Sequence, residues 1–116
     1  MLGIGIDAVD IARFRLMLQR RPELRQRLFT PAECTALAQR SDETASLAAR
    51  FAVREATMKS LGVGLGAFDF HDVSVHTQDG GAPRLLVVGR AAEIAKRMGV
   101  TDWRVSISHT ETLAMA

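Results

Sequence analysis

Cysteine is nearly absent: Cys34 stands alone in 116 residues, which excludes an internal disulfide and a thiolate zinc site. A lone thiol suits a reducing compartment, and redox chemistry is not expected. Aromatic residues make up only 5% and tyrosine is missing, so the exposed ring pairs that stack bases on RNA-binding sheets have no counterpart here. No run approaches the roughly 20 apolar residues a membrane helix needs. The segment Met1 to Asp10 holds two acids and no base, unlike a signal peptide, and a cytoplasmic location is expected. What remains, 47% apolar and 24% charged, is the composition of an ordinary folded chain, expected to form one domain over 1–116.

Net charge is only +2, but it is unevenly spread, with six arginines against Glu23 alone between Arg13 and Arg27. Such a stripe fits either a solvated helix face or a docking face for an acidic partner.

Leu2, Ile4 and Ile6 alternate with Gly3, Gly5 and Asp7, the period of a strand whose glycine face admits a close neighbour, backbone or ligand. From Asp10 the period becomes helical, with Ile11, Phe14, Met17 and Leu18 on one face and most arginines elsewhere, until Pro22 interrupts it and starts a second short helix. Thr30-Pro31-Ala32-Glu33 has the form of a capping box opening a helix through about Gln39. Ser41 or Asp42 then caps the longest helix, which Gly62 ends. Strands are expected over Phe68 to Thr77 and Arg84 to Val88 around an Asp79-Gly80-Gly81 turn. A helix carrying Ala91, Ile94, Ala95 and Met98 ends at Gly99, and a hairpin of 103–108 with Leu113 and Met115 closes the chain. The reading is an α+β fold with an antiparallel sheet packed on helices.

On a wheel with Phe51 at zero, Glu55 falls near 40° and Lys59 near 80°, at about 100° per residue. One reading is an i,i+4 ion pair worth a few tenths of a kcal/mol. The other is a site, because the pair borders the apolar face beside Ala48 and Ala52, whose small side chains leave room for a ligand. Asp7 is either a turn or cap aspartate or, with Glu55, half of an oxygen-ligand pair suited to Mg²⁺. His109 is either a turn-bonding histidine or a polar group of the site. The glycines Gly62, Gly64 and Gly66 follow a helix C-terminus and lack the helix N-terminus of a phosphate loop. Cys34 reads as packing, with no activating partner in sequence.

Three segments in order, Gly5-Ile6-Asp7-Ala8-Val9 with Arg13, Arg50-Phe51-Ala52-Val53-Arg54-Glu55-Ala56-Thr57-Met58-Lys59-Ser60-Leu61-Gly62, and Ser106-Ile107-Ser108-His109 with Ala114 and Ala116, resemble the holo-acyl-carrier-protein synthases. These are the small class of 4′-phosphopantetheinyl transferases. Arg54 replaces a frequent lysine, Ser60 a usual alanine and Leu113 a frequent tyrosine. The resemblance implies transfer of phosphopantetheine from coenzyme A to a serine of apo acyl carrier protein, with Mg²⁺ on Asp7 and Glu55. It implies Lys59 as a second cation and His109 on the pyrophosphate, and it leaves the general base open between Glu55, Asp7 through water, or none. It places Arg50, Gly62, Gly64, Pro83, His109 and Thr110 around coenzyme A, and Arg13, Arg20, Arg21 and Arg25 against the carrier protein. A homotrimer with sites between subunits is implied, with neither nucleic acid nor membrane as partner. Similar proteins usually continue the last strand past the position of Ala116, so the final hairpin is expected to be incomplete.

Overall fold

The computed structural model describes residues 2–77 and 81–116. Among the described residues five α-helices and five strands follow in the order β1 (Ala8–Asp10), α1 (Ile11–Arg20), α2 (Leu24–Leu28), α3 (Pro31–Leu37), α4 (Glu43–Ser60), β2 (Val73–Thr77), β3 (Pro83–Val87), α5 (Gly89–Arg97), β4 (Ser108–His109) and β5 (Leu113–Met115). The α+β reading therefore holds, with the strands divided into two antiparallel ladders, β1-β5-β4 and β2-β3. No helix among the described residues is long and apolar enough to cross a membrane.

The starts of α1, α3 and α4 follow side chains able to bond free N–H groups. Asp10 accepts from Arg13 N at 2.9 Å and Asp42 from Ala45 N at 3.2 Å. Thr30 and Glu33 complete the capping box reciprocally. α3 stops at Leu37 rather than Gln39, with Ala38 as its C-cap. The expected strand from Phe68 starts only at Val73, because Asp69 accepts from His71 N and caps a 3-10 turn over Phe70–Asp72. The expected turn at Asp79 and Gly80 lies outside the described residues.

The axis of the fold is α4, which packs against both ladders and α1. Its small residues Ala45, Ala48, Ala49 and Ala52 are fully or almost fully buried and let neighbours approach. Beside them Phe14, Phe29, Leu37 and Leu47 fill one core region, and Val53, Met58, Phe68, Val73 and Val75 fill another.

The N-terminal segment explains its own glycines. A Cβ on Gly5 would come within 1.9 Å of the Ala56 carbonyl oxygen, and one on Gly3 within 2.1 Å of that of Ser60. The close neighbour is thus the backbone of α4, and Leu2, Ile4 and Ile6 face outward, 63%, 78% and 74% exposed. That approach carries the chain along α4 as far as Asp7.

Candidate active site

Asp7 meets the long helix through Lys59, whose Nζ donates to Asp7 Oδ1 at 3.0 Å and to the Ile6 carbonyl at 3.1 Å. The partners stand 52 residues apart, and the Asp7 side chain is largely covered while that of Lys59 is half exposed. Glu55, one turn before Lys59, completes the cluster. Its carboxyl is raised above the usual value, first by burial and then by the Asp7 charge, with Lys59 pulling the other way. Two neighbouring carboxylates with one lysine alongside form a site short of positive charge.

Those oxygens fit a hard cation. No soft sulfur or imidazole ligand joins them, and no cluster of three or more metal-binding side chains occurs among the described residues. A Mg²⁺ ion there would draw its other ligands from water and substrate phosphates, as this ion commonly does.

A groove of about 680 Å³ links this cluster to α1 and is lined by Asp7, Glu55, Arg13, Leu16, Arg20 and Arg21. Phe14 and Met17 also border it while packing into or against the core. Leu16 was the apolar groove residue that helical reading passed over. It is 50% exposed. Its signal was an aliphatic side chain within about 40° of Arg20 on the wheel, on the charged face rather than the apolar one.

A model of the 4′-phosphopantetheinyl transferase superfamily matches residues 3–114. The chain belongs to this superfamily. Holo-acyl-carrier-protein synthases of Moorella thermoacetica and Beutenbergia cavernae are 43% and 44% identical to the transferase over 116 residues, all of this chain and 91% and 94% of theirs. The crystal structure of the holo-acyl-carrier-protein synthase from Neisseria meningitidis has a TM-score of 0.90 at 26% identity, covering 99% of this chain and 94% of that one. The Helicobacter pylori enzyme in complex with coenzyme A has a TM-score of 0.78 at 28% identity, covering 97% and 94%.

The other residues singled out in sequence for coenzyme A do not line the groove that holds Asp7 and Glu55. His109 is exposed on β4, paired with Ala114 of β5, which pairs in turn with Val9 of β1. Two strand spacings, about 10 Å, therefore separate it from β1. Thr110 Oγ1 accepts from Thr112 N at 3.2 Å and Leu113 N at 3.1 Å and shapes the β4–β5 turn. Gly62 ends α4 at φ +70°, and a Cβ on it or on Gly64 would meet open space. Pro83 opens β3 opposite Thr77.

Arg50 lies on another side of α4 and is only 5% exposed. One Nη1–H reaches the Ser46 carbonyl at 3.3 Å, and its buried Nε has no partner. Burial, with Arg40 second, holds its pKa below the ordinary arginine value. Arg25 pairs with Glu43 on α4 and does not line the α1 groove. Arg21 lines the groove while its Nε meets Glu23 at 3.0 Å. Cys34 is half-buried, its thiol pushed up by burial, in keeping with packing.

Proposed function

We infer that this chain is a holo-acyl-carrier-protein synthase that moves the 4′-phosphopantetheine arm of coenzyme A to a serine of an apo acyl carrier protein. The serine oxygen bonds the phosphorus of the arm, the phosphoanhydride bond breaks, and adenosine 3′,5′-bisphosphate leaves. The observation that carries the reading is the meeting of Asp7, Glu55 and Lys59 beside a groove rimmed by Arg13 and Arg20, in a chain 43% identical to a named synthase.

Phosphoryl transfer spreads charge over non-bridging oxygens, so position and neutralisation account for most of the catalysis. When bound, Mg²⁺ supplies charge neutralisation on the pyrophosphate and a fixed attack geometry. Asp7 and Glu55 would hold it. Lys59, already aimed at this point by Ile6 and Asp7, brings a further positive charge to the leaving phosphate. The same carboxylates stand ready to accept the serine proton, directly or through water.

Lys59→Ala is expected to cut kcat on the order of 10²-fold and to change the coenzyme A KM little, since its charge acts mainly in the transition state. Steady-state kinetics check this; a change confined to KM would make Lys59 a binding residue.

The α1 groove suits the acidic surface expected around the acceptor serine. Arg13 and Arg20, seven residues apart, lie nearly in line on α1, with Leu16 between them offering an apolar contact. Reversing both to Glu should raise the carrier KM about tenfold or more at low salt, and less as salt rises, at about 0.5–2 kcal/mol per arginine. Coenzyme A binding measured by titration should not change. An unaltered carrier KM and salt slope would leave the stripe a solvated face.

The reading extends to a homotrimer, supported by the exposed aliphatic row Leu2, Ile4 and Ile6, and to coenzyme A contacts from Arg50, Gly62, Gly64, Pro83, His109 and Thr110 across subunits. Light scattering at three times 12.7 kDa tests the trimer, and a monomer under assay conditions contradicts it. A cytoplasmic location, where apo carrier protein and coenzyme A meet, follows and is tested by cell fractionation. Release of adenosine 3′,5′-bisphosphate from coenzyme A, followed by chromatography with and without apo carrier protein, tests the reaction. Release independent of the carrier would indicate hydrolysis instead.

A further inference from the structure

The ammonium of Lys59 neutralises a carboxylate that lies across from its own helix. Among the described residues its hydrogen bonds go to Asp7 Oδ1 at 3.0 Å and to the Ile6 carbonyl at 3.1 Å. None goes to Glu55, although that residue stands four positions earlier on α4, where an i,i+4 pair is within reach. The lysine takes the partner 52 residues away in sequence instead.

The fold prepares this contact. Gly3 and Gly5 lie so close to the backbone of α4, at Ser60 and Ala56, that neither position has room for a Cβ, and the two glycines bracket the last turns of the helix around Lys59. The Ile6 carbonyl and Asp7 follow directly and lead into β1, which is paired with β5. Both acceptors are therefore carried on backbone held from two sides. The Asp7 side chain is 18% exposed and that of Lys59 55% exposed, so the part free to move is the lysine, a point charge on a flexible four-carbon stem.

A carboxylate matched in this way meets a divalent cation with a competitor already in place and a like charge beside it. Even in water, a unit charge about 4 Å from a divalent ion weakens its binding by more than about tenfold. A pyrophosphate, with two negative charges and several acceptor oxygens, is a stronger partner for an ammonium than one carboxylate and one carbonyl.

We propose that Lys59 keeps the Asp7–Glu55 pair closed to divalent cations in the free enzyme, and that a ligand bearing a pyrophosphate opens it by drawing the ammonium off Asp7. The inference rests on the transferase reading for the identity of that ligand, coenzyme A, and for the two carboxylates as the cation site. Lys59 then has two positions, on Asp7 and Ile6 before coenzyme A binds and on phosphate oxygens afterwards, and it passes between them by turning its own side chain. The cation and coenzyme A assist each other's binding, and by linkage each does so to the same extent.

The test measures Mn²⁺ binding to the full chain from the electron paramagnetic resonance of the free ion, with Mg²⁺ as competitor, first without coenzyme A and then with it, corrected for Mn²⁺ held by coenzyme A alone. Lys59→Met keeps the stem and removes the charge, and without coenzyme A it is expected to bind Mn²⁺ about tenfold or more tighter than the parent. Lys59→Arg keeps the charge and should stay within about threefold of the parent. The tightening that coenzyme A brings should be smaller in Lys59→Met than in the parent by about tenfold or more. Adding Asp7→Asn to Lys59→Met should erase its gain. Equal Mn²⁺ affinity of the parent and Lys59→Met, with Asp7 still required, would overturn the gate and leave the cation site standing. An equal gain in Lys59→Met and Lys59→Arg would assign the effect to a loosened side chain rather than to charge, and would overturn it as well. Mn²⁺ binding that never depends on Asp7, with or without coenzyme A, would overturn the cation site and the gate together.

Discussion

Glu55→Gln is expected to abolish phosphopantetheine transfer and at the same time to raise the melting temperature of the metal-free protein. The activity loss, on the order of 10³-fold in kcat, follows from removing one of two hard oxygen charges meant for a single cation. The stability gain follows from the environment of the carboxyl, which burial and then the Asp7 charge push above the usual glutamate value. A carboxyl with a raised folded-state pKa is easier to ionise in the unfolded chain. Its favourable contribution is therefore complete below the unfolded value and lost as pH rises through the folded one. Near neutral pH the folded protein bears the cost of that charge, and the amide removes it. Thermal melts at pH 7 in chelator should place the variant above the parent, and the gap should close as pH falls below the glutamate range. A variant that melts lower at pH 7 would show that burial and the Asp7 charge do not disfavour the Glu55 carboxylate.

The largest stability effect is expected at Glu33, which combines two tasks. As the third residue of α3 it accepts from Thr30 N at 3.0 Å and closes the capping box. Its carboxylate also meets Arg54, with Nη2 to Oε1 at 2.5 Å and Nη1 to Oε2 at 3.1 Å, and Oε2 accepts from Val75 N at 3.0 Å. Both side chains are fully buried. The guanidinium lies over Phe29, 5.0 Å from its ring centre, and donates from Nε to the Phe70 carbonyl at 2.9 Å. Burial alone would raise the Glu33 carboxyl, but the Arg54 hydrogen bonds and charge and the two backbone donors bring it below its usual value. Glu33→Ala strands a buried cation, frees the Val75 N–H and removes one half of the capping box, for a loss of about 3–5 kcal/mol. That approaches the whole stability of a small domain. Urea titration of parent and variant checks it; a loss below about 1 kcal/mol would mean that the network is not tight.

The helix boundaries and much of the site were legible because they rest on local chemistry. Thr30, Asp10 and Asp42 cap at the ends of apolar periods, and the wheel alone brings Glu55 and Lys59 to the border of the apolar face. The contact of Lys59 with Asp7 was open in sequence, since it requires Gly3 and Gly5 to lie on the backbone of α4. Glu33 read as a cap and nothing more, because its bond to Arg54 depends on how α3 meets α4. Arg54 looked like a mild change from lysine, yet here it makes a forked pair that an ammonium could not reproduce. The alternation at 103–107 was read correctly as half-burial but overstated as a paired strand. Side-chain period reports which face is covered, whereas strand pairing needs a neighbour, and β4 finds one only at Ser108 and His109.

The most direct test of the central claim is the intact mass of an apo acyl carrier protein after incubation with the enzyme and coenzyme A, with Mg²⁺ or with chelator, using the parent and Asp7→Asn. The account predicts that the parent with Mg²⁺ shifts the carrier by the mass of one phosphopantetheine arm at its acceptor serine, and that chelator or Asp7→Asn leaves nearly all carrier in the apo form. A full mass shift in chelator, or at parental rate with Asp7→Asn, would contradict it.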